Sequence, residues 1–421
     1  MDKFVIRGGK KLSGQVEISG AKNASLALMP ASLLVSGNSK LYNTPELNDV
    51  YTMTKLLNHL GVKTKFENHV LELDSSNIIS QDAPYEHVKK MRASVYVLGP
   101  LITKYGAARV SLPGGCAWGP RPINLHLEGL KKMGADIELN EGYIIAKAKR
   151  LKGARINFDV SSVGATGNIL MAAALAKGTT IINNAALEPE ISNLAEFLIK
   201  MGARINGINT STLEIEGVDE LHTAEIDTIP DRIEAGTILI AGALTHGNIT
   251  IKNISNQHMN SVLSKLEDSG CNLNINNGLV SLGAAYNSIK SSDITTAIYP
   301  GFPTDMQAQW TAYMALAEGT STVTDTIYLD RFKHVPELVR LGANITVNEN
   351  SAVIKGVKKL TGAKVMSTDL RASASLVLAG LAAEGTTEVL RVYHLDRGYQ
   401  KIEKKLLALG ADIERVEGSE Y

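Results

Sequence analysis

Leu60-Gly61-Val62, Met133-Gly134-Ala135, Met201-Gly202-Ala203, Ser269-Gly270-Cys271, Leu341-Gly342-Ala343 and Leu409-Gly410-Ala411 are six occurrences of one signature. Before the glycine runs an amphipathic helical stretch, such as Leu125 to Met133 or Val335 to Leu341. After it comes an alternating stretch, such as Ile137-Glu138-Leu139 or Ile345-Thr346-Val347, patterned as a half-buried strand. The glycine itself reads as a helix C-cap, where a positive φ is cheap only without a Cβ. Successive glycines stand 73, 68, 68, 72 and 68 residues apart, so six units of about seventy residues fill the 421-residue chain. A fixed period of this kind marks a repeat architecture.

A second glycine lies upstream in every unit, at Gly37, Gly106, Gly178, Gly247, Gly319 and Gly385, and is also expected to end a helix. These upstream helices are Ala-rich and apolar nearly all round, as in Ile169 to Ala176 and Ala372 to Ala383, which is the pattern of a buried helix. Each unit thus carries one buried and one amphipathic helix with strands between, and the sheets are expected outside the buried helices. The fold class is α/β. A single core stops growing near ~250–300 residues, so two domains are expected, of three units each. The crossing falls near Thr228-Ile229-Pro230-Asp231, giving a first domain of residues 22–229 and a second of 1–21 with 230–421.

The two glycines of a unit are separated by 24, 28, 24, 23, 23 and 25 residues, so the second unit is the longest. Its extra length falls in Leu112-Pro113-Gly114-Gly115-Cys116-Ala117-Trp118-Gly119-Pro120-Arg121-Pro122. A scaffold has no need of a longer copy, and a Gly/Pro-rich insertion is where a functional lid is expected. The chain has two cysteines. Cys271 fills a position held by Ala or Val in the other units and reads as a small buried hydrophobe. Cys116 has no counterpart and stands on the added loop.

Lys+Arg and Asp+Glu both number 43, hydrophobic residues make up 44% and charged residues 20%. That balance argues against nucleic acid or an anionic membrane as partner. The opening Met1-Asp2-Lys3-Phe4-Val5-Ile6-Arg7-Gly8-Gly9 lacks the apolar stretch of a secretory signal, and the longest apolar run, Leu376 to Ala383, is far short of the ~20 residues of a membrane span. A cytoplasmic enzyme with reduced thiols is expected. The buried helices open on polar residues: Lys22-Asn23, Arg92-Ala93-Ser94, Ser162-Val163-Gly164, Asp231-Arg232, Thr304-Asp305 and Asp369-Leu370-Arg371. Helix N-termini attract anions. Arg121, Arg331 and Arg397 add side chains suited to bidentate binding of carboxylate and phosphate. A doubly anionic small ligand is the expected guest.

Over its whole length the sequence resembles the UDP-N-acetylglucosamine 1-carboxyvinyltransferase branch of the enolpyruvyl transferases. The stretches that carry the resemblance are Gly20-Ala21-Lys22-Asn23-Ala24, Met91-Arg92-Ala93-Ser94, Leu112 to Cys116, Arg121-Pro122, Ser162 to Thr166, Phe302 to Gln309, Arg331-Phe332 with His334 to Leu338, and Asp369 to Ser373. It implies an inside-out α/β barrel in each of two similar domains, an active site in the cleft between them, and no metal or organic cofactor. The implied substrates are phosphoenolpyruvate and UDP-N-acetylglucosamine, in the first committed step of peptidoglycan precursor synthesis. It assigns Lys22, Asn23, Arg121, Arg331, Arg371 and Arg397 to phosphoenolpyruvate. Arg92, Arg121, Pro122, Ile123, Asn124, Leu125, His126, Ser162, Val163, Gly164, Asp305 and Ile327 go to the nucleotide sugar. Cys116, Asp305, Lys22 and Arg397 are the implied catalytic residues. Cys116 would deliver a proton or trap the activated carbon, which would make it the target of an epoxide phosphonate such as fosfomycin. Asp305 would accept the hydroxyl proton. Trp118 and Val160 depart from residues common in relatives, a smaller aliphatic and a Lys respectively.

Three rivals share features with this reading. A 5-enolpyruvylshikimate-3-phosphate synthase has the same fold, but the cysteine loop and Ser162-Val163-Gly164 disfavour it. Cys116 with His126 has the makings of a thiol hydrolase pair, without an evident orienting third residue. Six repeats also suit a ring clamp on DNA, against which the zero net charge counts.

Overall fold

The computed structural model describes residues 2–89, 91–112, 123–283 and 288–418. The chain divides into two compact units, Gly20–Ile229 and Met1–Ser19 with Pro230–Tyr421. Each has a hydrophobic core of its own.

Strand, buried helix, strand, amphipathic helix and two further strands follow one another in the first five repeats, and the sixth has a single strand after its amphipathic helix. The described residues form six four-stranded sheets of one topology. In one of them, Asp82–Ala83 lies parallel to Ala107–Ser111. Ala107–Ser111 pairs antiparallel with Tyr143–Lys147, which pairs antiparallel with Asp136–Asn140. A parallel pair needs a crossover. Here it is the 3₁₀ helix Arg92–Val97 running into the α-helix Leu98–Tyr105. Strands such as Thr212–Glu216 and Val70–Asp74 alternate between a buried and a more exposed face. The helices they cover are buried nearly all round: every residue of Gln307–Met314 and all but one of Arg232–Leu244. Each unit is therefore an inside-out α/β barrel, with helices in the middle and three sheets around them.

The sheets are not assembled from six consecutive stretches of chain. Lys3–Arg7 lies antiparallel between Thr386–Leu390 and Asp412–Val416, completing the last repeat. Ser13–Glu17 runs parallel to Asn248–Lys252 and supplies the edge strand of the fourth. Glu225–Asp227 does the same for Asn38–Tyr42 in the first. The N-terminal nineteen residues thus belong with the C-terminal half.

All six signature glycines are left-handed, with φ from 91° to 111°. Five of the upstream glycines are too, but of the six only Gly106 is itself the helix C-cap; the others stand two or more residues beyond the cap, and Gly247 is not left-handed. There the left-handed residue is His246, with φ 50°. Gly247 answers a different need: a Cβ on it would fall 2.4 Å from the Leu12 carbonyl oxygen, so the N-terminal segment could not pack there.

Two buried-helix starts also differ from a simple α-helix N-terminus. Arg92 and Thr304 open 3₁₀ turns that precede the α-helices. At three others the free amides are already taken. The Asp231 carboxylate accepts from Ile233 and Glu234, that of Asp369 from Arg371 and Ala372, and Ser162 Oγ from Ala165. These caps satisfy donors that the sequence left available for an anion.

Candidate active site

In the unit containing Pro230–Tyr421, Asp305 sits on the 3₁₀ turn Thr304–Met306, and two arginines converge on its carboxylate. Arg331 Nη2 donates to Oδ1 at 2.8 Å and Arg371 Nη2 to Oδ2 at 3.4 Å. The arginine side chains are 9% and 3% exposed, against 27% for Asp305. Burial works against the Arg331 charge, but the Asp305 carboxylate outweighs it and raises its pKa. Two guanidinium groups thus share one carboxylate in a desolvated place. Arg371 Nε and Nη1 are buried and, among the described residues, have only the adjoining Tyr399 hydroxyl near them and no well-formed hydrogen bond. Unsatisfied buried donors on a cation carry a large cost unless an anion answers them. The cluster has the charge and the donor geometry that a carboxylate or phosphate requires.

A second layer holds the cluster. Asp325, wholly buried, closes the strand Thr320–Asp325. Its Oδ1 accepts from Thr296 Oγ1 at 2.8 Å and from the amides of Ile327 and Tyr328 at 2.9 Å each. Its Oδ2 accepts from Thr304 Oγ1 at 2.7 Å, and that hydroxyl accepts from Arg331 Nη1 at 2.9 Å. Asp325 therefore fixes the turn at Ile327 and the rotamer of Arg331 together. Tyr399 lies beside Arg371, ring centroid 5.1 Å from the guanidinium carbon, and its hydroxyl bonds Thr237 Oγ1 and Gln309 Nε2 at 3.0 Å. His334, beside Arg331, is driven down to about 3 by burial and then by that cation, so it stays neutral. Arg397 ends the 3₁₀ helix Val392–Arg397 and is half-buried.

In the unit Gly20–Ile229, Lys22 opens the helix Lys22–Ala31, with Nζ 3.7 Å from Asp49, and Asn23 follows it, half-buried. Elsewhere in the unit His126, Arg92, Val163 and Gly164 come together. His126 is 5% exposed, and burial, then Arg92, lowers its pKa to about 4. A Cβ on Gly164 would sit 3.1 Å from His126 Cε1 and Nε2, so only glycine leaves that edge of the ring open. Tyr96 donates its hydroxyl to the Val163 carbonyl at 3.3 Å, just after the Ser162 cap. Ile123, Asn124 and Leu125 form the start of the helix Asn124–Lys132 that carries His126. Cys116, Arg121 and Pro122 lie outside the described residues, as does Trp118.

A family described as EPSP synthase (3-phosphoshikimate 1-carboxyvinyltransferase) matches residues 6–406. The chain is 59% identical to a UDP-N-acetylglucosamine 1-carboxyvinyltransferase of Chloroherpeton thalassium, covering all of this chain and 99% of the relative. It is 56% identical to the protein of the same name from Chlorobium limicola, over the full length of both. The chain is an enolpyruvyl transferase. Among solved structures of this family, the enolpyruvyl transferase NikO from Streptomyces tendae superposes with a TM-score of 0.90 at 26% identity, over 99% of each chain. The EPSP synthase of Acinetobacter baumannii shares the fold, with a TM-score of 0.76 at 18% identity.

For an enolpyruvyl transferase, the residues that the sequence did not single out matter as much as those it did. Asp325, Tyr399 and Asn168, together with Thr304, which was marked only as a helix start, support the assigned residues from behind. The geometry also weakens the thiol hydrolase reading. His126 Nδ1 is engaged by Asn168 Nδ2 at 3.0 Å, so the ring offers no available basic nitrogen to a thiol.

Proposed function

We propose that this chain transfers the enolpyruvyl group of phosphoenolpyruvate to the 3-hydroxyl of UDP-N-acetylglucosamine and releases phosphate. The observation that carries the reaction type is the buried Arg331–Asp305–Arg371 cluster, in which Arg371 Nε and Nη1 make no well-formed hydrogen bond among the described residues. The acceptor follows the name borne by its full-length relatives. The reaction would be the first committed step of peptidoglycan precursor synthesis, run in the cytoplasm. No helix of the described residues is long and apolar enough to cross a membrane.

In this reading the sugar hydroxyl oxygen bonds to C2 of phosphoenolpyruvate while C3 takes a proton. Asp305 accepts the hydroxyl proton and Cys116 supplies the one to C3. Arg331 and Arg371 exchange part of their hold on Asp305 for the substrate carboxylate, and that frees Asp305 as an acceptor. The tetrahedral adduct then loses a C3 proton and expels phosphate, whose charge Lys22, Arg121 and Arg397 stabilise. Arg92, Ile123, Asn124, Leu125, His126, Ser162, Val163, Gly164 and Ile327 hold the nucleotide sugar. Phosphate release measured with both substrates, and again with shikimate 3-phosphate in place of the nucleotide sugar, tests this. Turnover with shikimate 3-phosphate and none with UDP-N-acetylglucosamine would refute it.

A further inference from the structure

Asn168 is a wholly buried amide in the middle of the apolar helix Val163–Ala173, and every polar atom of it is used. Its Oδ1 accepts from the Gly99 amide at 2.6 Å. Its Nδ2 faces the Val95 carbonyl at 2.8 Å and His126 Nδ1 at 3.0 Å. Val95 and Gly99 are four residues apart at the junction where the 3₁₀ helix beginning with Arg92 becomes the α-helix Leu98–Tyr105. Gly99 permits the approach: a Cβ there would fall 2.4 Å from the Asn168 carbonyl oxygen. The amide cannot be turned over. Reversed, it would set oxygen against the Val95 carbonyl and N–H against the Gly99 N–H.

That orientation dictates the state of His126. A fixed Nδ2–H donor requires Nδ1 to be an unprotonated acceptor, so the neutral ring carries its proton on Nε2. Protonation would put N–H against N–H, and the charged group facing the ring, Arg92, opposes it as well. The helix Val163–Ala173 offers the ring Asn168 and Gly164, neither of which titrates. Two strands pack against the His126 helix, but their charged residues Asp136, Glu138 and Arg155 are exposed. The edge of the ring formed by Cε1 and Nε2 faces Gly164, where a Cβ would lie 3.1 Å away.

We infer that Asn168 is a positioning residue that locks His126 as a neutral Nε2–H donor, held for an acceptor atom of the nucleotide sugar. The donor's target rests on the function proposed above; the lock does not. His126 acts in binding and takes no part in proton transfer. Asn168→Asp keeps an acceptor for Gly99 but draws a proton onto His126 Nδ1, which makes the ring titratable near neutral pH.

Nitrogen-15 NMR of histidine-labelled protein, with His126 assigned through His126→Gln, reads the tautomer directly. Wild type should hold the Nε2–H form unchanged above about pH 5.5, with and without UDP-N-acetylglucosamine. Calorimetry should show a wild-type dissociation constant for UDP-N-acetylglucosamine insensitive to pH between about 6 and 8, and one in Asn168→Asp that shifts about tenfold across that range. The kcat at saturation should stay within a few-fold. An Nδ1–H tautomer in wild type, titration of wild-type His126 near its ordinary value, or a pH-flat Asn168→Asp overturns the inference. If wild type does not bind UDP-N-acetylglucosamine, the proposed substrate and the donor's target fall together, and the NMR result alone decides the lock.

Discussion

Replacing Asp325 by Asn changes one atom and tests whether the carboxylate behind the arginine cluster works by charge. Four hydrogen bonds end on this wholly buried group, at 2.7–2.9 Å. In Asp325→Asn the remaining oxygen keeps Thr296, Ile327 and Tyr328, and the amide nitrogen faces Thr304. That hydroxyl then meets two donors, the new amide and Arg331 Nη1, and its own hydrogen loses its acceptor. A bond to a charged group contributes about 1.5–3 kcal/mol and a neutral one about 0.5–1.5 kcal/mol. Three bonds weakened and one lost come to roughly 4.5–7.5 kcal/mol before relief of the buried charge, which returns roughly 3–5 kcal/mol. The net expectation is a loss of about 2 kcal/mol. Arg331, no longer fixed through Thr304, should raise the KM for phosphoenolpyruvate about tenfold with less effect on that for the nucleotide sugar.

Trp310 is wholly buried in the same unit and, in a Trp118→Phe background that removes the chain's second tryptophan, reports its unfolding by fluorescence in urea. Far-ultraviolet circular dichroism follows the whole chain and checks that the two transitions can be separated. A loss under about 0.5 kcal/mol with an unchanged KM for phosphoenolpyruvate would refute the reasoning, because Arg331 would then hold its place without Asp325.

Acid should destabilise the unit Gly20–Ile229 through His126. Its folded pKa of about 4 lies below the ordinary 6.5, so the unfolded chain binds the proton first. Stability is whole above pH 6.5 and falls by roughly 3 kcal/mol as pH drops toward 4, and urea midpoints of His126→Gln should lack that component. His246→Gly should stabilise by about 0.5–1 kcal/mol by relieving a left-handed side chain, whereas Gly247→Ala should cost more than about 2 kcal/mol through its clash with Leu12; equal and opposite small effects would show the strain misassigned. Asp305→Ala should abolish turnover while leaving the circular dichroism of wild type, and turnover within a few-fold of normal would remove it from the chemistry. An epoxide phosphonate should label Cys116 and spare Cys271, which is 5% exposed with its sulfur 3.4 Å from the Tyr313 hydroxyl; peptide mass spectrometry locates the adduct.

The repeat was legible because it is written in backbone chemistry. A left-handed turn selects glycine almost regardless of what surrounds it, so the six signatures stood out along the chain. The pairing of Lys3–Arg7 with the last repeat was not legible. Its alternation specifies a half-buried strand and leaves the partner open, and that partner lies more than 370 residues away in sequence. His246 was missed for a related reason, since a left-handed residue that is not glycine leaves no mark in the composition.

The charged residues at helix starts were legible because charge placed before an apolar run is conspicuous. Two of the residues so marked, Asp305 and Arg371, lie together with Arg331, which was marked separately as an arginine suited to bidentate anion binding. Their supports were overlooked because attention to helix starts passes over strand ends and helix middles, although a signal was present for each. Asn168 interrupts a helix otherwise apolar on every side, and a polar group there has to be hydrogen-bonded to something specific. In Thr320–Asp325 the alternation that buries Ser321 and Val323 carries on to position 325, so the phase of the strand points a carboxylate inward. A charge in the inward phase of a strand demands several donors. The donors nearest in sequence are the Ile327 and Tyr328 amides of the turn that follows, and Ile327 was already marked for the nucleotide sugar. Asking where each polar residue in an apolar phase finds its partners would have led from the sequence to both Asn168 and Asp325.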